Sequence, residues 1–392
     1  MMIFIGICSI IFPQPGNSPA AKDYMLKQTL HNTDGDARRT IINLRNNLVL
    51  ETPIFMPVGT QCTVKGLTAS EIKDTGAKII LNNAYHVYLR PGLDLIEHFG
   101  GLHKFQGWDG AILTDSGGYQ IFSLSNLHKL TEEGLTFKSH IDGSEHFMSP
   151  EKAIETQQRM GADIFMSFDQ PCPWGASREE TIDATSRTHR WAKRGRDAWK
   201  PETGQALFGI VQGGFEMDLR KDSAKTLIDM DFPGYSIGGL SVGEPKPMMW
   251  EMLAEVTPLL PTEKPRYMMG VGTPADLIRG VALGVDMFDC VLPTRLGRNG
   301  TFYTREGKAN LRNAKFERDD SPLDSNCTCR VCRTYSRGYL RHLLKSTEMV
   351  GVRSLSYHNT AFYQNLMAEI RLKIENNEFK SFANEFLGNF SE

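Results

Sequence analysis

Three cysteines fall within six residues, as Cys327-x-Cys329-x-x-Cys332. Zinc takes four tetrahedral sulfur and nitrogen ligands, and thiols spaced this closely supply three of them. A histidine can complete the set. His358 lies beyond the helix-like stretch YSRGYLRHLLKS, and His342 lies inside it. A Cys3His shell leaves no position for water or substrate, so one zinc ion held there is structural. The other cysteines, 8, 62, 172 and 290, bring the total to an odd seven. That is no disulfide framework, and it suits a reducing compartment.

A second set of groups can break bonds. Asp115 in LTDSGGYQ, Asp169 in MSFDQPC and Asp289 in DMFDCVLPTR each end an apolar run. Carboxylates brought together can divide roles, one staying ionised as a nucleophile while another carries protons. Paired carboxylates acting at an anomeric carbon are the glycosidase arrangement, whose retaining form passes through a sugar–enzyme ester. Asp286 precedes its apolar run and is read as starting the strand. Glycine pairs 117–118, 213–214 and 238–239 also stand at the ends of apolar runs and admit a flat ligand close to the backbone. Tyr119 and Met269 can sandwich such a ligand, and Gln212 can read a carbonyl edge.

Eight apolar runs must position these groups: IFMPVGT from Ile54, KIILNN from Lys78, AILTDSGG from Ala111, DIFMSFDQ from Asp163, LFGIVQGG from Leu207, YSIGGLSVG from Tyr235, YMMGVGT from Tyr267 and DMFDC from Asp286. Each is apolar enough to be buried on both faces, as parallel strands are. Amphipathic segments separate them. Thr68 with Glu71 and Ser177 with Glu180 fit capping boxes, and Ser149-Pro150 and Thr273-Pro274 place an N-cap before a first-turn proline. The expectation is an α/β fold, a (β/α)8 TIM barrel with its site at the strand C-termini. An open doubly wound sheet is disfavoured by the lack of G-x-G-x-x-G after a first strand.

The 392 residues are too many for one small domain. Residues 25–300 are assigned to the catalytic barrel and 301–392 to a zinc-binding helical module packed on it. From Arg295 to Arg353 the chain carries ten arginines and three lysines, although its formal net charge is only −2. Any nucleic-acid contact therefore comes from a local basic surface. The opening MMIFIGICSIIFPQPG is apolar, but no Lys or Arg precedes it as a secretory signal requires, and it is too short to span a bilayer. Translation is expected to begin at Met25, with residues 1–24 a non-native or disordered extension.

DSGGYQ (115–120), FGIVQGG (208–214), GGLSVGEP (238–245), MGVGTP (269–274) and DMFDCVLPTRLGRNG (286–300), followed by CxCxxC and a histidine, resemble the bacterial-type tRNA-guanine transglycosylases, from about Met25 onward. The resemblance implies exchange of guanine at wobble position 34 of tRNAs with GUN anticodons (Asp, Asn, His, Tyr) for a 7-deazaguanine. It makes Asp289 the nucleophile on the ribose C1′ and Asp115 the proton acceptor and donor. The base pocket would comprise Ser116, Gly117, Gly118, Tyr119, Asp169, Gln212, Met269 and the Gly239 backbone N–H. RNA would lie along Gly270, Val271, Gly272, Thr273, Pro274, Ala275 and Asp276, and along Thr294, Arg295, Leu296, Gly297 and Arg298. His358 becomes the fourth ligand of one zinc ion per subunit. A cytoplasmic homodimer without membrane contact is implied.

Two departures from the family pattern border the pocket for the 7-substituent. Asp169-Gln170-Pro171-Cys172 replaces Asp-Glu-Cys, and Ser241 stands where Ala is common. Val242 keeps the bulkier bacterial-like side chain, which favours preQ1 (7-aminomethyl-7-deazaguanine), with queuine salvage the alternative. A non-catalytic RNA-binding subunit would have lost its carboxylates, and a barrel zinc hydrolase would want His-x-His near the first strand.

Overall fold

The computed structural model describes residues 26–124 and 128–391. The proposed extension, the start at Met25 and Cys8 lie outside the described residues. All eight apolar runs form strands, numbered β1 to β8: Ile54–Gly59, Ile79–Asn83, Ala111–Asp115, Ile164–Met166, Ala206–Val211, Gly234–Ile237, Arg266–Met268 and Met287–Cys290. Each pairs in parallel with the next, and β8 closes on β1, with Asp289 opposite Met56. This is the (β/α)8 barrel.

The pleat sorts the side chains. Alternate residues on a strand face opposite sides, and two buried clusters result. Ile54, Met56, Ile79, Leu81, Leu113, Met166, Ile210, Tyr267 and Met287 fill the barrel interior. Their neighbours Phe55, Ile80, Ile112, Phe165, Val211, Met268 and Phe288 join the outer cluster under the helices. Stepping two residues along the inward face gives Asn83 after Leu81, Asp115 after Leu113, Gln212 after Ile210, Met269 after Tyr267 and Asp289 after Met287. Apart from Ser236, which meets the Met166 sulfur, these layers are apolar, and the last layer, at the C-terminal end, is polar.

The helix starts follow the sequence signals. Thr68 and Ser177 form complete capping boxes, and Ser149 and Thr273 cap helices that open on proline. At the other end of the barrel, Asp286 is fully buried; it accepts from the Arg38 guanidinium Nε at 2.8 Å and from the Arg266 N–H at 2.7 Å. That ties β8 to an antiparallel sheet of Lys27–Asp34, Ala37–Asn43 and Val49–Thr52, whose Ile42 and Leu50 join the interior cluster. A second antiparallel sheet, His128–Leu130, Leu135–Lys138 and Glu145–Met148, is inserted between β3 and β4.

After β8 come, among the described residues, the helix Leu292–Arg298, a hairpin of Thr301–Thr304 and Gly307–Asn310, a 3-10 turn and four further α-helices. The longest, Met349–Glu375, crosses Leu292–Arg298 so closely that a Cβ on Gly297 would lie 2.6 Å from the Ser356 nitrogen. Only glycine fits that crossing. Among the described residues, no helix is long and apolar enough to cross a membrane.

Candidate active site and metal centre

The C-terminal ends of the strands surround a cavity of about 240 Å³. Asp115, Ser116, Gly117, Gly118, Tyr119, Asp169, Gln212, Gly239, Met269 and Asp289 all line it, together with Gly270. The residues anticipated for bond breaking and base binding therefore meet at one place.

Asp289 is 8% exposed. Its Oδ1 accepts from the Tyr267 hydroxyl at 2.5 Å and from the Gly270 N–H at 2.7 Å, while Oδ2 has no hydrogen-bond partner among the described residues. Burial pushes its carboxyl upward, and the two donors pull it back. Asp115 lies opposite Asn83 in the β2–β3 register and accepts from its amide at 2.5 Å and from the Ala84 N–H at 3.1 Å. Burial pushes Asp115 up to about 7, with the Asp289 charge contributing. An acid near 7 suits proton transfer at neutral pH.

Asp169 lies beyond β4, which ends at Met166. Its Oδ2 accepts from the Gln212 amide at 2.7 Å and its Oδ1 from the Ser116 hydroxyl at 3.3 Å. Burial pushes it up to about 6 against those bonds. The Gln212 Oε1 is buried with no partner among the described residues. Such an atom wants a ligand donor. Gly239 takes φ +63°, and a Cβ there would lie 2.4 Å from that same oxygen. Tyr119 is 53% exposed at the rim. Asp169 and Gln212 thus present fixed donors and acceptors to a planar polar ring.

Three residues of the site were absent from the sequence reading. Tyr267 and Asn83 occupy inward-facing positions, so strand alternation from Met269 and Leu81 could have found them. Arg220, fully buried and hydrogen-bonded beneath the glycine loops, gave no sequence signal.

The segments anticipated to meet RNA are unevenly exposed. Val271, Gly272, Pro274, Ala275, Asp276, Thr294 and Gly297 are buried, whereas Gly270 and Arg295 are exposed and Thr273, Leu296 and Arg298 half-buried. The Asp276 carboxylate bonds the Thr273 N–H at 3.1 Å and Lys246 at 2.8 Å. One nitrogen of Arg298 is buried and unpartnered among the described residues.

In the C-terminal region Cys327, Cys329, Cys332 and His358 place their ligand atoms within 4.8 Å of one another; His342 is not in the group. The Nδ1 of His358 lies 3.3 Å from Cys332 Sγ and 3.6 Å from Cys329 Sγ. Its Nε2 lies 2.8 Å from the Tyr303 carbonyl, so Nε2 donates and the Nδ1 lone pair faces the thiols. This outer hydrogen bond is the usual one for a metal-bound histidine. Three crowded thiols cannot all ionise alone: hydrogen bonds from Cys327 and Cys332 drive Cys329 downward, while Cys327 and Cys329 drive Cys332 upward. A cation resolves that conflict, so the residues fit a bound metal with a closed shell.

A parallel barrel with buried carboxylates of divergent environment around a small polar cavity defines an enzyme site of the TIM-barrel class. A family profile described as queuine tRNA-ribosyltransferase matches residues 33–392. Proteins named queuine tRNA-ribosyltransferase are similar over most of the chain. That of Pelotomaculum thermopropionicum is 57% identical over 338 residues, covering 86% of this chain and 91% of its own. That of Caldanaerobacter subterraneus subsp. tengcongensis is 58% identical, covering 86% and 90%, and that of Acetivibrio thermocellus is 54% identical, covering 87% and 91%. The chain belongs to the queuine tRNA-ribosyltransferase family, and it is an enzyme of the pentosyltransferase class.

Proposed function

We propose that this enzyme exchanges guanine at position 34 of GUN-anticodon tRNAs for preQ1 through a covalent Asp289–ribose intermediate. The observation that carries this reading is Asp289 itself: one oxygen held by two donors, the other unengaged at the cavity. Oδ2 attacks C1′, the C1′–N9 bond breaks, and its electron pair leaves with guanine, which takes a proton from Asp115. Asp115 then removes the N9 proton of the incoming base. That nitrogen attacks C1′ and releases the Asp289 carboxylate. Two displacements retain configuration, and the ester conserves the glycosidic energy, so no nucleotide cofactor is consumed. Asp169 accepts from the N1–H and 2-amino groups of the base, and Gln212 and the Gly239 N–H complete its recognition. Tyr119 and Met269 stack on its faces.

The target base must leave its stack to enter the cavity. Gly270, Thr273, Arg295 and Arg298 offer the accessible contacts for the RNA backbone. The ion is assigned as zinc from its three thiolates and imidazole; it braces the 301–392 module against the barrel of residues 25–300 and takes no part in bond breaking. A homodimer is proposed, with one subunit performing chemistry while the other orients the tRNA, and the reduced thiols favour the cytoplasm.

The test is incorporation of labelled guanine into tRNA by the pure enzyme, with trapping of the RNA adduct on a denaturing gel. Asp289→Ala should abolish the adduct; its persistence would place the nucleophile elsewhere. Queuine is the alternative substrate because Pro171 and Ser241, where the family pattern is broken, line the cavity; Val242 beside them favours preQ1. Competition of preQ1 against queuine decides between them.

A further inference from the structure

Arg220 lies in the first turn of the helix Met217–Asp229 and has no exposed surface. Among the described residues, no carboxylate hydrogen-bonds it. Its Nε donates to the Gly214 carbonyl at 2.6 Å, Nη1 to the Gly238 carbonyl at 3.1 Å and Nη2 to the Gly239 carbonyl at 3.2 Å. Glu244, which attracts its charge, spends its own oxygens on the Ser241 and Val242 N–H groups. Desolvation draws the guanidinium down to about 10. Burying a cation without a paired anion is costly, and neutral donors would bond the same carbonyls without a charge. The charge therefore has a use beyond packing.

That use follows from the peptide joining Gly238 to Gly239. In a trans peptide the C=O and N–H point in opposite directions. Holding the Gly238 oxygen on Arg220 turns the Gly239 N–H away from Arg220. Gly239 lines the cavity, and its N–H has no protein acceptor among the described residues. A cation on the carbonyl also polarises the peptide and makes its N–H a stronger donor. The keto oxygen at C6 is the acceptor on guanine and 7-deazaguanines that such a donor would take.

We propose that Arg220 is a positioning residue that aims and strengthens the Gly239 N–H toward the C6 keto oxygen of the base. The inference rests on the base-exchange reading above. It is tested by measuring the affinities of guanine and of 2-aminopurine, which lacks the keto group, for the unaltered enzyme and for Arg220→Lys and Arg220→Gln. Lysine keeps the charge but cannot span three carbonyls, and glutamine keeps a donor without the charge. Guanine affinity should fall about tenfold in either variant, the scale of one charge-assisted hydrogen bond, while 2-aminopurine affinity stays within about twofold. An equal fall for both bases would mean simple loop collapse, and an unchanged ratio would mean Arg220 does not act on the keto contact; either overturns the inference alone. If the unaltered enzyme does not prefer guanine, the base-exchange reading falls and this inference with it. If neither variant folds, a crystal structure of the unaltered enzyme with guanine decides. Gly239 N within hydrogen-bond distance of O6, with Arg220 still on the Gly238 oxygen, supports the proposal; release of either contact overturns it.

Discussion

Replacing Tyr267 by phenylalanine removes one oxygen from the wall behind the proposed nucleophile. The ring is fully buried in the barrel interior, and the Gly270 N–H remains as the other donor to Asp289. A hydrogen bond to a charged group contributes about 1.5–3 kcal/mol, and one pKa unit corresponds to about 1.4 kcal/mol. Loss of the hydroxyl should therefore raise the Asp289 carboxyl by about one to two units above its already raised position. The ionised form is the one that attacks. On the acid side of the profile, the variant should form adduct about ten- to a hundredfold more slowly at a given pH. On the plateau, where both enzymes are ionised, the variant should be no slower than the parent, because a carboxylate relieved of one donor is the better nucleophile. The assay is single-turnover formation of the RNA adduct between pH 5 and 9, with melting curves to confirm folding. The proton transfers of Asp115 are common to both proteins and cancel in the comparison. An acid limb that stays in place, or a uniform fall at every pH, would refute the reasoning.

Three further outcomes follow from the geometry. Gly239→Ala places a methyl 2.4 Å from the Gln212 Oε1 at a φ of +63°, so calorimetric binding of the free base should weaken by at least tenfold, about 1.4 kcal/mol, with tRNA binding retained. Asp115→Asn should lower exchange by about 10²–10⁴. Because the Asp115 carboxyl is raised to about 7 in the fold, its contribution to stability is full below the ordinary carboxylate range and lost as pH rises through 7. An amide does not ionise, so the melting temperature of the variant relative to the parent should climb between pH 4 and 7 and then level off. Cys329→Ala should release the metal in elemental analysis, lower the melting temperature and weaken tRNA binding while leaving free-base affinity intact; full metal content would contradict the Cys3His assignment.

The barrel was legible because its strands are short apolar runs with polar ends, and burial on both faces leaves a near-continuous signal. The metal site was legible because its three thiols are local; its histidine was not fixed by local spacing, since His342 and His358 both stood within reach, and the family resemblance pointed to His358, which the fold brings to the thiols. The two antiparallel sheets were harder. Lys27–Asp34 is mostly exposed, and Glu145–Met148 sets its two apolar residues side by side, so neither alternates cleanly. Asp276 illustrates another limit. Its spacing from Thr273 is that of the other capping boxes, but nothing in the sequence shows that Lys246 also occupies its carboxylate.

The three aspartates show why a motif alone cannot distribute chemistry. In sequence each is an acid after an apolar run. In the fold, both oxygens of Asp169 are committed, one to Ser116 and one to Gln212, so it is suited to hold a ring and ill suited to attack or swing. Asp115 has no donor as strong as a phenol beside it, and burial next to Asp289 leaves it near 7, where it can both give and take a proton. Asp289 alone combines one anchored oxygen with one unengaged oxygen, and its hydroxyl and N–H donors favour the ionised form that a nucleophile needs. Exchanging any two of these roles would ask a committed carboxylate to move or a proton carrier to remain ionised. The proposed division of labour therefore rests on neighbours supplied from other strands, Asn83 from β2, Gln212 just beyond β5 and Tyr267 from β7, rather than on the residues flanking each aspartate.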